Sequence, residues 1–170
     1  MNAWAVYALI VGLGAIAMHV LFVRAFPRLV MLIVGRVFKG PVNEMIHMPP
    51  TTARSRAVVR PSPDLLYSAI IYDVSRAPLR ITAAVPESYW SISFFANNTD
   101  NYFVENDHDI GASSAEFLLV GKGQHVEPGT ARLVEAQSSK GAILLRSLVR
   151  DPTSVEALIA VQKQARCQPD

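Results

Sequence analysis

The sequence predicts a mainly β domain, an antiparallel sandwich or open barrel with a C-terminal helix, preceded by one N-terminal transmembrane helix. Three observations carry that expectation. Residues Ala3 to Val23, AWAVYALIVGLGAIAMHVLFV, contain no Asp, Glu, Lys or Arg. A helix of that length rises roughly 31 Å, about the thickness of a bilayer's hydrocarbon core. In YWSISFF, Trp90, Ile92 and Phe94 alternate with Ser91 and Ser93, the period-two signal of a strand with one buried face. From Asp64 onward, short β-branched or aromatic segments recur between Gly, Asn, Asp and Pro clusters, the spacing of an antiparallel sandwich or open barrel.

Taken in order, residues 1–27 form the transmembrane anchor. A cleaved signal peptide needs a basic leading region, a shorter apolar core and a small-residue cleavage site. Here only Met-Asn precedes the run, and bulky residues and arginines follow it, so the anchor is expected to stay uncleaved. Pro27 is expected to kink or restart the helix. Residues 28–39, RLVMLIVGRVFK, then read as an interfacial amphipathic helix with Arg28, Arg36 and Lys39 on one arc. A juxtamembrane helix packed on the globular domain has the same pattern. Residues 40–63 hold five of the chain's prolines and little apolar periodicity, as in an extended linker. The globular domain spans 64–170. Its strands are expected in DLLYSAIIYDV, RITAAV, YWSISFF, NYFVE, EFLLV, ARLVE and AILLRSLV. Its final helix is expected in DPTSVEALIAVQKQARC, with Asp151 as cap and Pro152 just inside.

Composition narrows the classes. The 170 residues are 51% hydrophobic, and mean hydropathy is +0.25, with the apolar excess concentrated in the anchor. The net charge of +2 owes much to Arg24, Arg28, Arg36 and Lys39 beside the anchor, where lipid headgroups are the expected contacts. No basic face interleaved with aromatics appears, so nucleic acid is not an expected partner. The single cysteine, Cys167, excludes an internal disulfide.

VRPSPDLLYSAIIYDVSRAPLRITAAVPESYWSISFFANNTDNYF and LLRSLVRDPTSVEALIAVQKQ resemble the domain-of-unknown-function family 1254, which often stands beside or fused to family 1214. The first matches the family's strand pair, proline-bounded turn and aromatic strand, and the second its late strand-to-helix passage. Where the family commonly carries Asn-x-Asp-Thr before the tyrosine, this chain has Ser62-Pro63-Asp64-Leu65-Leu66-Tyr67, so a role for that polar loop does not carry over. The resemblance implies no agreed activity. It does imply a family 1214 protein as a separate partner subunit, and a bacterial inner-membrane setting. The basic residues after the anchor argue for a cytoplasmic C-terminal domain by the positive-inside rule. Members of the family are typically exported, so the resemblance implies a periplasmic domain, and that is the expectation.

Within the anchor, Ala5, Ala8, Gly12, Ala15 and His19 fall within one narrow stripe at about 100° per residue. Small residues let a second helix approach, and a polar group at the seam can hydrogen-bond across it. These five are therefore the expected packing face toward other membrane subunits. Two alternatives for His19 are a neutral ring snorkelling to the interface and axial ligation of a tetrapyrrole; no other cofactor is expected. Asp107, His108 and Asp109 are metal-competent types. On an extended strand they would point to opposite faces, so a solvated loop is expected and no metal. Asn97-Asn98-Thr99 fits a glycosylation sequon, relevant only in a secretory pathway. Ser68, Ser91 and Ser93 have no evident base, His125 follows an incomplete phosphate-loop pattern, and His47 falls in the linker. No catalytic residue is assigned. Tyr67, Tyr72 and Trp90 read as core or sheet residues.

Overall fold

The computed structural model describes residues 2–38, 40–52, 55, 61–127 and 129–170. It opens with α1 (Ala3–Val37), a single helix with Pro27 inside it and no buried residue. At about 1.5 Å per residue it is roughly 52 Å long. The expected restart at Pro27 does not occur. The proline removes one backbone donor, and the apolar turns on both sides keep their own bonds. Residues 28–37, expected as a separate interfacial helix, continue α1. Val30, Met31, Val34, Gly35 and Val37 are its half-buried stripe, spaced as one helix face. Lys39 lies outside the described residues.

The β domain is a two-sheet sandwich without a closed barrel. Its strands are β1 (Ile46–His47), β2 (Leu65–Asp73), β3 (Leu79–Ala84), β4 (Trp90–Ala96), β5 (Asn101–Asn106), β6 (Ser114–Val120), β7 (Arg132–Glu135), β8 (Lys140–Leu148) and β9 (Arg166–Pro169). One sheet has the order β1-β2-β8-β4-β5 and the other β7-β6-β3-β9. All pairings are antiparallel except β6 with β7. The longest register, β2 on β8, runs from Leu65 opposite Leu148 to Asp73 opposite Lys140.

Alternation puts one set of side chains between the sheets. Ile70 and Tyr72 of β2, Trp90, Ile92 and Phe94 of β4, and Ile143 and Leu145 of β8 meet Leu79, Ile81, Phe117 and Leu119 from the second sheet. Phe94 sits at the centre, edge-on to Phe103 at 5.3 Å and to Phe117 at 5.8 Å between ring centroids, the arrangement aromatic quadrupoles favour. Tyr72 donates its hydroxyl to the Phe95 carbonyl, 3.2 Å away, and lies 3.1 Å from the Tyr102 hydroxyl. Gly141 permits this approach, because a Cβ there would collide with the Phe95 carbonyl oxygen and the Tyr72 hydroxyl.

The C-terminal helix is α3 (Val155–Gln162), entered through a 3-10 turn over Pro152–Ser154. Asp151 caps that turn by accepting from the Thr153 amide at 2.9 Å, as expected of a cap. The helix ends sooner than its composition predicts. Residues 166–169 leave it as β9 and pair with β3, and Arg80 of β3 binds Glu116 at 2.7 Å and Asp170 at 2.6 Å. One helical turn, α2 (Asp107–Ile110), follows β5.

Candidate functional site

The first component is α1 itself. Ala5, Ala8, Gly12, Ala15 and His19 are all exposed, and a Cβ at Gly12 would meet nothing within 4 Å. Apolar side chains around them are exposed too, from Trp4 (79%) to Phe22 (57%). Water solvates such a surface poorly, so a helix of this kind is covered by lipid or by another helix. Arg24, Arg28 and Arg36 are exposed as well. Length and apolarity suit α1 to crossing a membrane, and a signal sequence near an N-terminus has the same character.

The second component is the junction between α1 and the β domain. Asn43 adopts a left-handed backbone, φ 66°, which asparagine tolerates better than most residues. Its amide side chain then acts as a short strand. It accepts from the Asp73 amide at 2.6 Å and donates to the Asp73 carbonyl at 2.9 Å, while the Asn43 amide donates to the Ile71 carbonyl at 2.9 Å. This clamp brings the chain leaving α1 onto the end of β2. A Cβ built on Gly35 would lie 3.9 Å from Ile71 Cγ2. Between helix and sheet runs a groove of about 360 Å³, with Arg28, Met31, Leu32 and Gly35 on one wall and Val42, Ile71, Asp73, Asn97 and Lys140 on the other. Lys140 Nζ is 3.1 Å from Asp73 Oδ2, and Asp73 Oδ1 accepts from the Ser75 amide at 3.0 Å. Those Ser75 bonds, helped by Lys140, pull the Asp73 carboxyl down to about 2. Of the groove residues Val42, Ile71, Asp73, Asn97 and Lys140, the sequence singled out Asn97 alone, and only as part of a sequon. They come from separate segments, and no local pattern marks them.

The third component joins two residues that no local pattern pairs. β1 adds to the edge of β2 with His47 opposite Ser68, and His47 Nδ1 lies 3.1 Å from Ser68 Oγ. Ser68 is buried. The cavity beside it, lined also by Trp90, Ser147 and Gln162, holds about 10 Å³, room for one water and no substrate. Burial first, then Arg166 and Lys163, lower the His47 pKa below its usual 6.5. The neutral ring is therefore the native form. Stability tied to His47 is complete above about pH 6.5, where unfolded and folded rings are both neutral, and is lost as pH falls through the lower folded value. Acidification from pH 7.5 to 5 is expected to lower the melting temperature, and His47→Gln is expected to flatten that slope.

Other sequence candidates stay dispersed. Asp107, His108 and Asp109 sit on α2, where Asn106 and Asp109 form a reciprocal capping box. The Asp109 carboxylate is spent on the Asn106 amide at 3.1 Å, and His108 is 92% exposed. Among the described residues no group of three or more His, Cys, Asp or Glu converges. Ser93 accepts from Arg146 at 2.8 Å, while Ser91 Oγ and Arg146 Nε are buried without a partner. Cys167 lies on β9 against the core, and burial, with Glu44 nearby, pushes its thiol up to about 12. Such a thiol reacts slowly.

Comparison with known proteins agrees with the fold. The family described as "Protein of unknown function (DUF1254)" matches residues 42–169, the part that begins just after α1. No curated protein matches the chain. Among solved structures, the VPA0106 protein of Vibrio parahaemolyticus superposes with a TM-score of 0.62 at 13% identity, covering 84% of this chain and 37% of its own. An uncharacterised protein from Burkholderia cenocepacia gives 0.53 at 16% identity, covering 86% of this chain and 41% of its own. At these identities the likeness is one of fold. This chain spans about two fifths of the length of each.

Proposed function

The chain belongs to the DUF1254 family, and from that premise we propose that it is a single-pass, membrane-anchored accessory subunit of a bacterial inner-membrane complex, with its β domain in the periplasm. One observation carries the reading. α1 is a continuous 35-residue helix without a buried residue, joined through the Asn43 clamp to a sandwich that already buries its own core. Such a helix finds its partners in the bilayer. The small residues Ala5, Ala8, Gly12 and Ala15 are the side on which a second helix fits, and His19 supplies the polar contact.

The experiment is extraction in mild detergent followed by identification of whatever accompanies the chain at stoichiometric ratio. One or more membrane proteins are expected. Bulk on the seam, through Ala8→Leu with Gly12→Leu, is expected to release them. His19→Leu is expected to weaken retention by no more than about thirtyfold, since such bonds are worth under about 2 kcal/mol. A chain that emerges alone contradicts the reading.

A second reading follows from length. The solved relatives are more than twice as long as the part matched here, and a separate family 1214 subunit would supply the counterpart. In that case the β domain is half of a small-molecule-binding or enzymatic unit. Turnover or ligand binding that appears only when the two subunits are mixed would favour it.

A further inference from the structure

We propose that the exposed face of α1 is the seam of a two-chain coiled coil, on which α1 of a second copy of this chain packs in parallel. The inference rests on the membrane-anchored reading above and names the helix that fits that side, the pair being what further subunits meet.

Spacing comes first. Ala5, Gly12, His19, Phe26 and Ile33 recur every seven residues, and Ala8, Ala15, Phe22, Leu29 and Arg36 recur between them with the same period. The intervals alternate between three and four along almost the whole of α1. That 3.5-residue period winds two helices into a left-handed pair, the commoner sense of packing in membranes as well. All of these residues are exposed. The half-buried residues Val30, Met31, Val34 and Gly35 take other heptad positions, and Met31 and Gly35 face the chain's own β domain across the groove. Arg24 and Arg28 also lie off the seam. The β domain therefore leaves it free.

Height comes second, and it separates this face from one that lipid alone would cover. The uncharged run of α1 ends at Val23. Leu29 and Ile33 stand roughly 9 and 15 Å further along the axis, at about 1.5 Å per residue. The headgroup layer is about 5–8 Å deep, so acyl chains do not reach them. Yet they are 52% and 49% exposed, beside Phe26 at 48%. Large apolar side chains in water call for a protein cover, and the same heptad carries that cover back into the bilayer.

Symmetry points to a second copy. Every copy inserts the same way round, so two α1 helices are parallel and in register, and the same patch serves both. Small layers meet at Gly12 and large ones from Phe22 to Ile33, which spaces the helices where the two β domains need room. His19 meets the partner's His19. An uncharged imidazole carries one donor and one acceptor, so the two close a hydrogen bond with no third group, as a lone polar residue on a coiled-coil seam fixes register. A strip one helix diameter wide, about 10 Å, along roughly 52 Å covers about 500 Å² per chain. The total of about 1,000 Å² reaches what a specific interface needs.

The test is oxidative cross-linking of the full chain in washed membranes, read on a non-reducing gel. Facing seam positions in a parallel pair bring Cα atoms within disulfide reach, about 4.4–6.8 Å. Ile33→Cys is expected to give a disulfide-linked dimer. Arg28→Cys, exposed but off the seam, and the unmodified chain with Cys167 alone are expected to give none. Leu29→Glu added to Ile33→Cys sets like charges face to face and removes two apolar side chains from the seam. It is expected to cut the dimer at least about tenfold while the chain stays in the membrane pellet. No dimer from Ile33→Cys, an equal yield from Arg28→Cys, or a yield untouched by Leu29→Glu each overturns the proposal. The accessory-subunit reading survives any of these if other membrane proteins still accompany the chain. A chain missing from the membranes overturns that reading instead.

Discussion

Aspartate at both Gly12 and Ile16 is expected to expel the chain from the membrane fraction. Both positions lie near the middle of the uncharged run from Ala3 to Val23. An aspartate at the centre of a spanning helix costs about 2.5–3.5 kcal/mol, so two cost about 5–7 kcal/mol. At about 1.4 kcal/mol per factor of ten, the partition shifts by about four orders of magnitude. Fractionation and immunoblotting read the outcome directly. Neither residue touches the β domain, and a Cβ at Gly12 meets nothing, so the effect belongs to the anchor. A control pair on the β domain's exposed surface, Lys122→Asp with Glu135→Gln, is expected to leave the distribution unchanged.

Phe94→Ala is expected to cost the β domain about 3–5 kcal/mol, the usual range for removing a buried aromatic ring. Phe94 is fully buried, and its ring contacts Tyr102, Phe103 and Phe117. Those rings come from the partner strand β5 and from the opposite sheet, so the void would open between the two layers. Domains are stable by about 5–15 kcal/mol, and the loss would be a large share of that. Chemical denaturation of the detergent-solubilised chain measures it through the midpoint. Phe94→Leu, which leaves a smaller void, is expected to cost less.

The elements that the sequence revealed are those whose side chains enter the core. Trp90, Ile92 and Phe94 alternate because β4 has one face between the sheets, and the same logic marks β2, β3, β6 and β8. β1 and β9 gave no signal. They are two and four residues long, they lie at sheet edges, and they contribute mainly backbone bonds. The sequence RCQP has no alternation to read, and Pro169 is tolerable as the last residue of an edge strand. Pairing was equally silent, because the β2–β8 register joins Leu65 to Leu148 across most of the domain.

Site residues divide in the same way. The small-residue stripe and His19 follow from helical geometry along one segment. The groove depends on Asn43 taking a left-handed conformation and docking on Asp73, and that docking exists only once β2 has formed. His47 meets Ser68 for the same reason: a residue in a proline-rich linker gains a partner when its neighbours add to a sheet edge. Pro27 shows the opposite error. A local rule predicted a kink or a restart; the helix does not restart, because apolar turns on either side carry it through.

The proposed function requires α1 to remain attached and in the bilayer. The most direct measurement is the intact mass of the chain recovered from washed membranes after alkaline carbonate treatment. The predicted result is a species that retains residues Ala3 to Val23 and stays in the pellet. A species beginning beyond Val23, or one released into the supernatant, would contradict it.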